Sequence, residues 1–354
     1  APDPTFSGDG RLDLPTNATA ANAHNGAAIS RDASGNLYVL ITSDAGRGVA
    51  KISSAGVLAS AYGGDGDGVA NPPALGLHLA LDGAGRIMSF GSLGFSVFAT
   101  RLTVGGLPDA SWSSQDYAET TFGESISALG DVHLDGTTAF LAVECTCQPS
   151  GGAGIAAIDL TTGAPKSDFD PGDADGAGFS LVGPGESTAV AIDPGPNGTV
   201  RLGMRSTASP AIPSQVVQVT DAGALDGAYA DAGRATVALR RHRVGAVTDV
   251  AIGPDGEVIS VGTLDTGGTG MFVARTTQDG GPDPSFGVGG RVVVPPATAG
   301  QVVESQGVVV LPDGRIAALV TRDADPVAEL RLYDTDGGLD SSFSGDGVLV
   351  VGVS

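Results

Sequence analysis

The sequence predicts an all-β protein, a β-propeller of six four-stranded antiparallel blades. Three observations carry that expectation. An aromatic residue recurs at a long and nearly constant period, as Phe6, Tyr62, Trp112, Phe169, Tyr229, Phe286 and Phe343, with intervals of 56, 50, 57, 60, 57 and 57 residues. Each interval holds four short apolar runs separated by turn residues. No segment keeps a 3.6-residue apolar period, and 56 Gly with 21 Pro in 354 residues are too many for a helical protein. Radial repetition leaves only short, protected sheet edges, whereas an open stack would expose long ones. A seven-bladed ring is the alternative, and it needs a seventh hairpin that the sequence does not contain.

The aromatics sit in a wider motif. The opening stretch Asp3-Pro-Thr-Phe6-Ser-Gly-Asp-Gly10-Arg-Leu12 returns as Asp283-Pro-Ser-Phe286-Gly-Val-Gly-Gly290-Arg-Val292 and as Asp340-Ser-Ser-Phe343-Ser-Gly-Asp-Gly347-Val-Leu349. The repeat units run 6–61, 62–111, 112–168, 169–228, 229–285 and 286–343, with a closing strand in 344–354. Each unit has a short strand after its motif, then a hairpin, then a third strand. The hairpins fall at 27–41, 77–90, 131–143, 188–202, 250–261 and 308–320, and the third strands at 49–52, 96–102, 155–158, 216–219, 271–274 and 330–332. Pro-Asp-Gly, Asp-Gly and Ser-Gly supply the hairpin turns. Each aromatic is expected to plug the gap between neighbouring sheets. The count leaves a remainder, because short strands follow seven motifs, including 11–14 and 348–351 at the termini. One terminal strand is expected to close the ring by completing the blade built from the other end. The other is then surplus, free to form a fifth edge strand, to pair with a second molecule or to begin a further blade.

These motifs resemble the bacterial delta-60 repeat family, on Asp3-Pro-Thr-Phe6, Asp283-Pro-Ser-Phe286, Asp340-Ser-Ser-Phe343 and hairpins such as Pro254-Asp-Gly-Glu-Val-Ile-Ser-Val261. The likeness extends over the chain as a period and is sharp at its two ends. It implies a propeller-like fold in a secreted or cell-surface bacterial protein. It implies no reaction and supplies no catalytic residues.

Charge narrows the partners. The formal net charge is −22, with 33 of the 40 acids being Asp and only Lys51 and Lys166 among 18 bases being Lys. Asp beside Gly is turn chemistry, so most of this charge belongs on loops. Such a surface repels nucleic-acid phosphates and anionic membranes and attracts divalent cations or basic partners. No apolar run reaches the roughly 20 residues of a membrane span. Ala1 at the start suits a mature chain after removal of a leader, and equally a trimmed one. Cys145 and Cys147, two residues apart before Pro149-Ser-Gly-Gly, are either a disulfide closed over a tight bend, a free thiol pair or metal ligands.

Candidate chemistry is sparse. Asp170, Asp173 and Asp175, and separately Asp65 and Asp67, alternate with small residues in the way that lets a loop wrap calcium. They are equally readable as solvated turns. His78 and His133 fall on the first strands of the second and third hairpins, where with Glu144 they could form a small metal or acid–base site. His242 lies in the one basic cluster, Arg240-Arg-His-Arg243, suited to an anion. No nucleophile elbow, zinc-protease helix, phosphate loop or paired C-x-x-C is present. The expected function is a binding or structural module with calcium as its cation and a glycan, peptide or protein as ligand. One alternative is a propeller enzyme, a hydrolase or lyase with its site at one mouth of the ring. Another is a homo-oligomer assembled through a surplus terminal strand.

Overall fold

The computed structural model describes residues 5–8, 12, 14, 25–43, 46–72, 74–93, 96–112, 117–122, 125–146, 151–170, 172, 177–183, 187–206, 214–237, 247–264, 270–296, 301–322 and 325–352. Six four-stranded antiparallel sheets follow one another along the chain as the blades of a six-bladed β-propeller. The first blade comprises β1 Asn25–Arg31, β2 Leu37–Ser43, β3 Gly46–Ile52 and β4 Val69–Ala70. The second has β5 His78–Leu81, β6 Ile87–Leu93, β7 Ser96–Leu102 and β8 Ala118–Thr121. The third has β9 Ile126–Asp135, β10 Thr138–Cys145, β11 Gly152–Asp159 and β12 Phe179–Leu181. The fourth has β13 Ser187–Pro194, β14 Val200–Ser206, β15 Gln215–Val219 and β16 Arg234–Thr236. The fifth has β17 Val247–Ile252, β18 Val258–Leu264, β19 Gly270–Thr276 and β20 Arg291–Val294. The sixth has β21 Val303–Val310, β22 Ile316–Arg322, β23 Asp325–Tyr333 and β24 Val348–Gly352. Among the described residues the one helical element is a single 3-10 turn, Pro196–Gly198.

Each sheet takes its fourth strand from beyond its motif, so the sheets are offset by one strand from the sequence repeats. The C-terminal strand follows the same rule. It pairs with β23, through Leu330 opposite Leu349, and completes the sixth blade from within its own segment. Of the strand expected at 11–14, Leu12 and Leu14 belong to no strand, and Arg11 and Asp13 lie outside the described residues.

Local chemistry makes the hairpins. Asp32 donates its N–H to Asn36 O, and its Oδ1 accepts from the N–H groups of Ser34 and Asn36, both at 2.9 Å. Gly35 then takes φ +82°, a left-handed conformation in which a Cβ is strained. Asp82 repeats the arrangement with Ala84 and Arg86. The first strands carry a second device. Register shifts mark a bulge at the same point of four of them, between Gly26/Ala28, Ala189/Ala191, Val247/Asp249 and Ser305/Gly307. A bulge leaves one residue unpaired, and in the fifth blade that residue is Thr248, directly before Asp249.

The chain divides into two compact units, one of Ala1–Ser127, Val132–Ala139 and Ala157–Lys166, the other of Ala128–Asp131, Phe140–Ala156 and Ser167–Ser354. In the first, Tyr38, Leu40 and Val49 pack with Leu75, Ile87 and Leu102. In the second, Ala191, Val216, Val250 and Phe272 join the fourth and fifth blades, and Ile259, Val261, Ile316, Ala318 and Val320 join the fifth and sixth. Six of the seven periodic aromatics complete these joints as expected. Phe6, Tyr62, Trp112, Phe169, Tyr229 and Phe286 lie over Gly56, Gly106, Gly163, Gly223, Gly280 and Gly337, each in the turn after the third strand of the next blade. All six glycines have positive φ, and a Cβ at Gly56 or Gly106 would fall 2.9 Å from the ring above it.

Candidate functional site

The arginines explain much of the motif. Arg275 on β19 stacks 4.9 Å from the centroid of Phe286. Its Nε donates to Asp283 Oδ2 at 2.8 Å, Nη2 to Ser285 Oγ at 2.8 Å and Nη1 to Thr335 O on the sixth blade. Arg101 on β7 repeats this over Trp112, with Asp109 at 2.8 Å and Leu160 O as acceptors. In the fourth blade Gln218 occupies the third-strand position and the guanidinium comes from its cross-strand partner Arg201. Arg201 stacks on Tyr229 and donates to Gln218 Oε1, Gly256 O and Gln278 O, while Gln218 Nε2 donates to Asp226. Burial works to raise the Asp283 pKa, but donation from Ser285 and the Arg275 charge hold it below the usual carboxylate value. The guanidinium fork suits this position because it stacks, pairs and still reaches a carbonyl on the next blade.

Two clefts open beside these arginines. The larger, about 520 Å³, lies between the fifth and sixth blades and is lined by Asp255, Glu257, Arg275, Asp283, Asp313 and Asp336 among others. Five carboxylates line it with one guanidinium, whose donors are already engaged, and Asp313 is itself paired with Arg315 at 2.9 Å. The smaller, about 390 Å³, lies at the equivalent place between the second and third blades. Its charge balance is reversed, with Asp82 against Arg86 and Arg101. The two clefts share a frame and differ in electrostatics.

A second group of carboxylates lies on the first strands, and sequence reasoning missed it. Asp131 Oδ2 accepts from Ile192 N–H at 3.0 Å, Asp193 Oδ2 from Ile252 N–H at 2.7 Å, and Asp249 Oδ2 from Val308 N–H at 2.8 Å. Each link runs from one blade to the first strand of the next. A first strand pairs on one side only, and a carboxylate satisfies an N–H that would otherwise be orphaned. Burial raises Asp193 to about 6, with the Asp131 charge adding to it against the Ile252 hydrogen bond. Burial likewise raises Asp249 to about 7, opposed by Val308 N–H and reinforced by Asp131 and Asp193. A signal existed in the sequence: Asp131 and Asp249 each stand four residues before the hairpin turn, at Asp135 and Gly253. His78, four before Asp82, holds the same place in the second blade.

The residues singled out from sequence fall on several elements. His78 is half-buried on β5, His133 on β9 and Glu144 on β10. Burial lowers the His133 pKa, partly offset by Asp135. Asp67 Oδ1 accepts from Val69 N–H, Asp65 Oδ1 from Asp67 N–H, and Asp170 Oδ1 from Gly172 N–H, so these three act as turn acceptors. Asp173, Asp175 and His242 lie outside the described residues. Among the described residues no three His, Cys, Asp or Glu side chains converge on a shared metal position. Cys145 is disulfide-bonded, and Cys147, the only other cysteine of the chain, lies outside the described residues.

No family model and no curated protein matches the chain. Solved structures do. Prolyl oligopeptidase B from Galerina marginata aligns at 8% identity and TM-score 0.51 over 92% of this chain, which spans 42% of that protein. Regucalcin from Agrobacterium tumefaciens, a calcium-binding protein, aligns at 13% identity and TM-score 0.36, covering 76% of this chain and 73% of its own. The gluconolactonase XC5397 from Xanthomonas campestris aligns at 12% identity and TM-score 0.43, covering 84% and 83%. At these identities the likeness to the oligopeptidase speaks for the propeller fold and nothing more. No helix among the described residues is long and apolar enough to cross a membrane.

Proposed function

We propose that this chain is a binding propeller of a bacterial cell surface or secreted protein, and that its ligand is a basic segment of a peptide or protein held in the cleft between the fifth and sixth blades. The observation that carries the reading is the cleft's charge. Asp255, Glu257, Asp313 and Asp336 surround a guanidinium that is already committed to Asp283, Ser285 and Thr335. Asp313 is itself paired with Arg315 at 2.9 Å, so a lysine or arginine side chain entering there meets the carboxylates of Asp255, Glu257 and Asp336, and the chain's net charge of −22 steers such a partner inward. The disulfide at Cys145 supports a location outside the reducing cytosol. Carboxylate oxygens also suit calcium, so calcium is expected to compete for the same cleft.

Calorimetric titration with decalysine tests this. Binding should weaken with salt and with added calcium. It should fall about tenfold in an Asp255→Asn, Glu257→Gln, Asp336→Asn variant, at ~0.5 kcal/mol per exposed charge. An Asp65→Asn, Asp67→Asn variant should bind as the parent does. Equal loss in both variants would mean attraction to net charge alone and would remove the cleft from the account.

A further inference from the structure

The smaller cleft, whose lining residues all belong to the first compact unit, repeats the frame of the larger one without its acids. The same hydrogen bonds fix both frames. Asp82 N–H donates to Arg86 O as Gly253 N–H donates to Glu257 O. Ala84 and Arg86 therefore stand where the larger cleft has Asp255 and Glu257. Arg101 Nη1 donates to Leu160 O as Arg275 Nη1 donates to Thr335 O, so Thr161 follows where Asp336 does. On the facing hairpin, Gly136 and Thr137 line the cleft where Asp313 and Gly314 line the larger one.

The arginines of this cleft keep donors in reserve. Arg86 Nε donates to Asp82 Oδ2 at 2.7 Å, and its Nη1 stands 3.7 Å from Asp109 Oδ2, beyond hydrogen-bond reach. Arg101 Nε donates to Asp109 Oδ2 at 2.8 Å, and its Nη1 makes a long bond of 3.5 Å to Leu160 O. Ser285 accepts from Arg275 Nη2, whereas Ser111 donates to Asp109 and accepts nothing from Arg101. Among the described residues, the Nη2 groups of Arg86 and Arg101 thus meet no acceptor. The two carboxylates that pair with these arginines are more covered than Arg86: Asp82 and Asp109 are 7% and 10% exposed, against 33%. Of the two, Asp82 lines the cleft.

We propose that the cleft between the second and third blades is a second binding site, and that it takes a carboxylate monoanion on the unused N–H groups of Arg86 and Arg101. Its walls set Asp82 against two guanidiniums, which leaves one positive charge in excess. One carboxylate balances that charge. A phosphate dianion brings a second negative charge, and Asp82 and the chain's net charge of −22 both oppose it. The guanidinium fork matches the planar carboxylate, which accepts two parallel N–H bonds. Thr137, exposed on the facing hairpin, adds a hydroxyl donor. At about 390 Å³ the cleft admits more than the carboxylate alone. The group is shared by a free small acid and by an aspartate or glutamate side chain of a peptide.

Amide and arginine Nε resonances followed by nuclear magnetic resonance at constant ionic strength test this, with acetate, N-acetylglutamate α-amide and inorganic phosphate as probes. Saturable shifts are expected at Gly136, Thr137, Thr161 and Arg86. Tighter binding of the glutamate amide than of acetate points to a peptide source and equal binding to a free acid, and either supports the site. Arg86→Gln should weaken acetate binding by about fivefold. Ala84→Asp, in an exposed turn, should weaken it as much by restoring an acid of the larger cleft. Retained amide dispersion shows that each variant is folded. Binding that both variants leave unchanged overturns the proposal, as do shifts that never saturate. Phosphate bound more tightly than acetate overturns the carboxylate assignment.

Discussion

Asp249 makes stability depend on pH in a direction opposite to that of most paired carboxylates. Its folded-state carboxyl keeps its proton up to about pH 7, whereas an unfolded Asp releases it near 3.8. Between those values the folded state binds more protons than the unfolded one, so stability falls as pH rises through the window and is flat above it. At about 1.4 kcal/mol per tenfold change in proton affinity, the ionised carboxylate at pH 8 costs on the order of 4 kcal/mol. The Asp249→Asn variant removes that charge. It also replaces one acceptor of two N–H groups, Val250 and Val308, with a donor, at about 1–2 kcal/mol. The net effect at pH 8 is a stabilisation of about 2 kcal/mol. At pH 5 the native carboxyl is already neutral, and the variant should be level or about 1 kcal/mol less stable. Urea denaturation followed by far-UV circular dichroism at both pH values reads the crossover. A parent chain whose stability is flat or rising from pH 5 to 8, or a variant with the same sign of effect at both, would refute the reasoning.

Three further outcomes follow from the same geometry. Gly337→Ala should cost about 2–4 kcal/mol, since its Cβ would fall 2.9 Å from Val292 Cγ2 and 3.0 Å from Gly287 N, while Gly345→Ala, with similar φ but open space, should cost about 1 kcal/mol; thermal melts compare them. Arg275→Ala should destabilise by roughly 3 kcal/mol, and Arg275→Lys should recover only part of it, because an ammonium cannot stack on Phe286 and reach both Asp283 and Thr335 O; denaturant midpoints decide. Iodoacetamide labelling followed by mass spectrometry should find no modified cysteine before reduction and two after it.

The aromatic period and its four-run interval were enough to read six blades, because each ring must meet a glycine in the next blade and so cannot drift far from its place. The offset between repeat and sheet was not readable. Nothing in residues 348–351 says whether that strand will pair with its own third strand or with another blade. The candidate sites divide in the same way. The Asp65 and Asp67 pair stands out in sequence, yet its oxygens accept from neighbouring backbone N–H groups, which is what Asp does in most tight turns. Asp131, Asp193 and Asp249 stand out only once their strands lie side by side, for their partners are backbone groups about sixty residues away that carry no side-chain signature. The acidic cleft was hidden for a related reason, since residues from 254 to 336 meet in it.

The arginine ties have a consequence for how such a protein can change. What Arg101, Arg201 and Arg275 grip on the following blade is main-chain oxygen, at Leu160, Gly256, Gln278 and Thr335. Every residue offers that oxygen, so the grip itself does not fix the side chain at Leu160, Gln278 or Thr335, while Gly256, at φ +77°, is held to glycine by its turn. The donor side has no such freedom, because it must keep a long cation, an aromatic ring and an acceptor in register. Each seam therefore joins a strict half to a permissive half, and the permissive halves are the loops that line the two clefts. Opposite charge in clefts built on one frame is what that arrangement allows: the blades can diversify what they hold while the way they hold each other stays fixed.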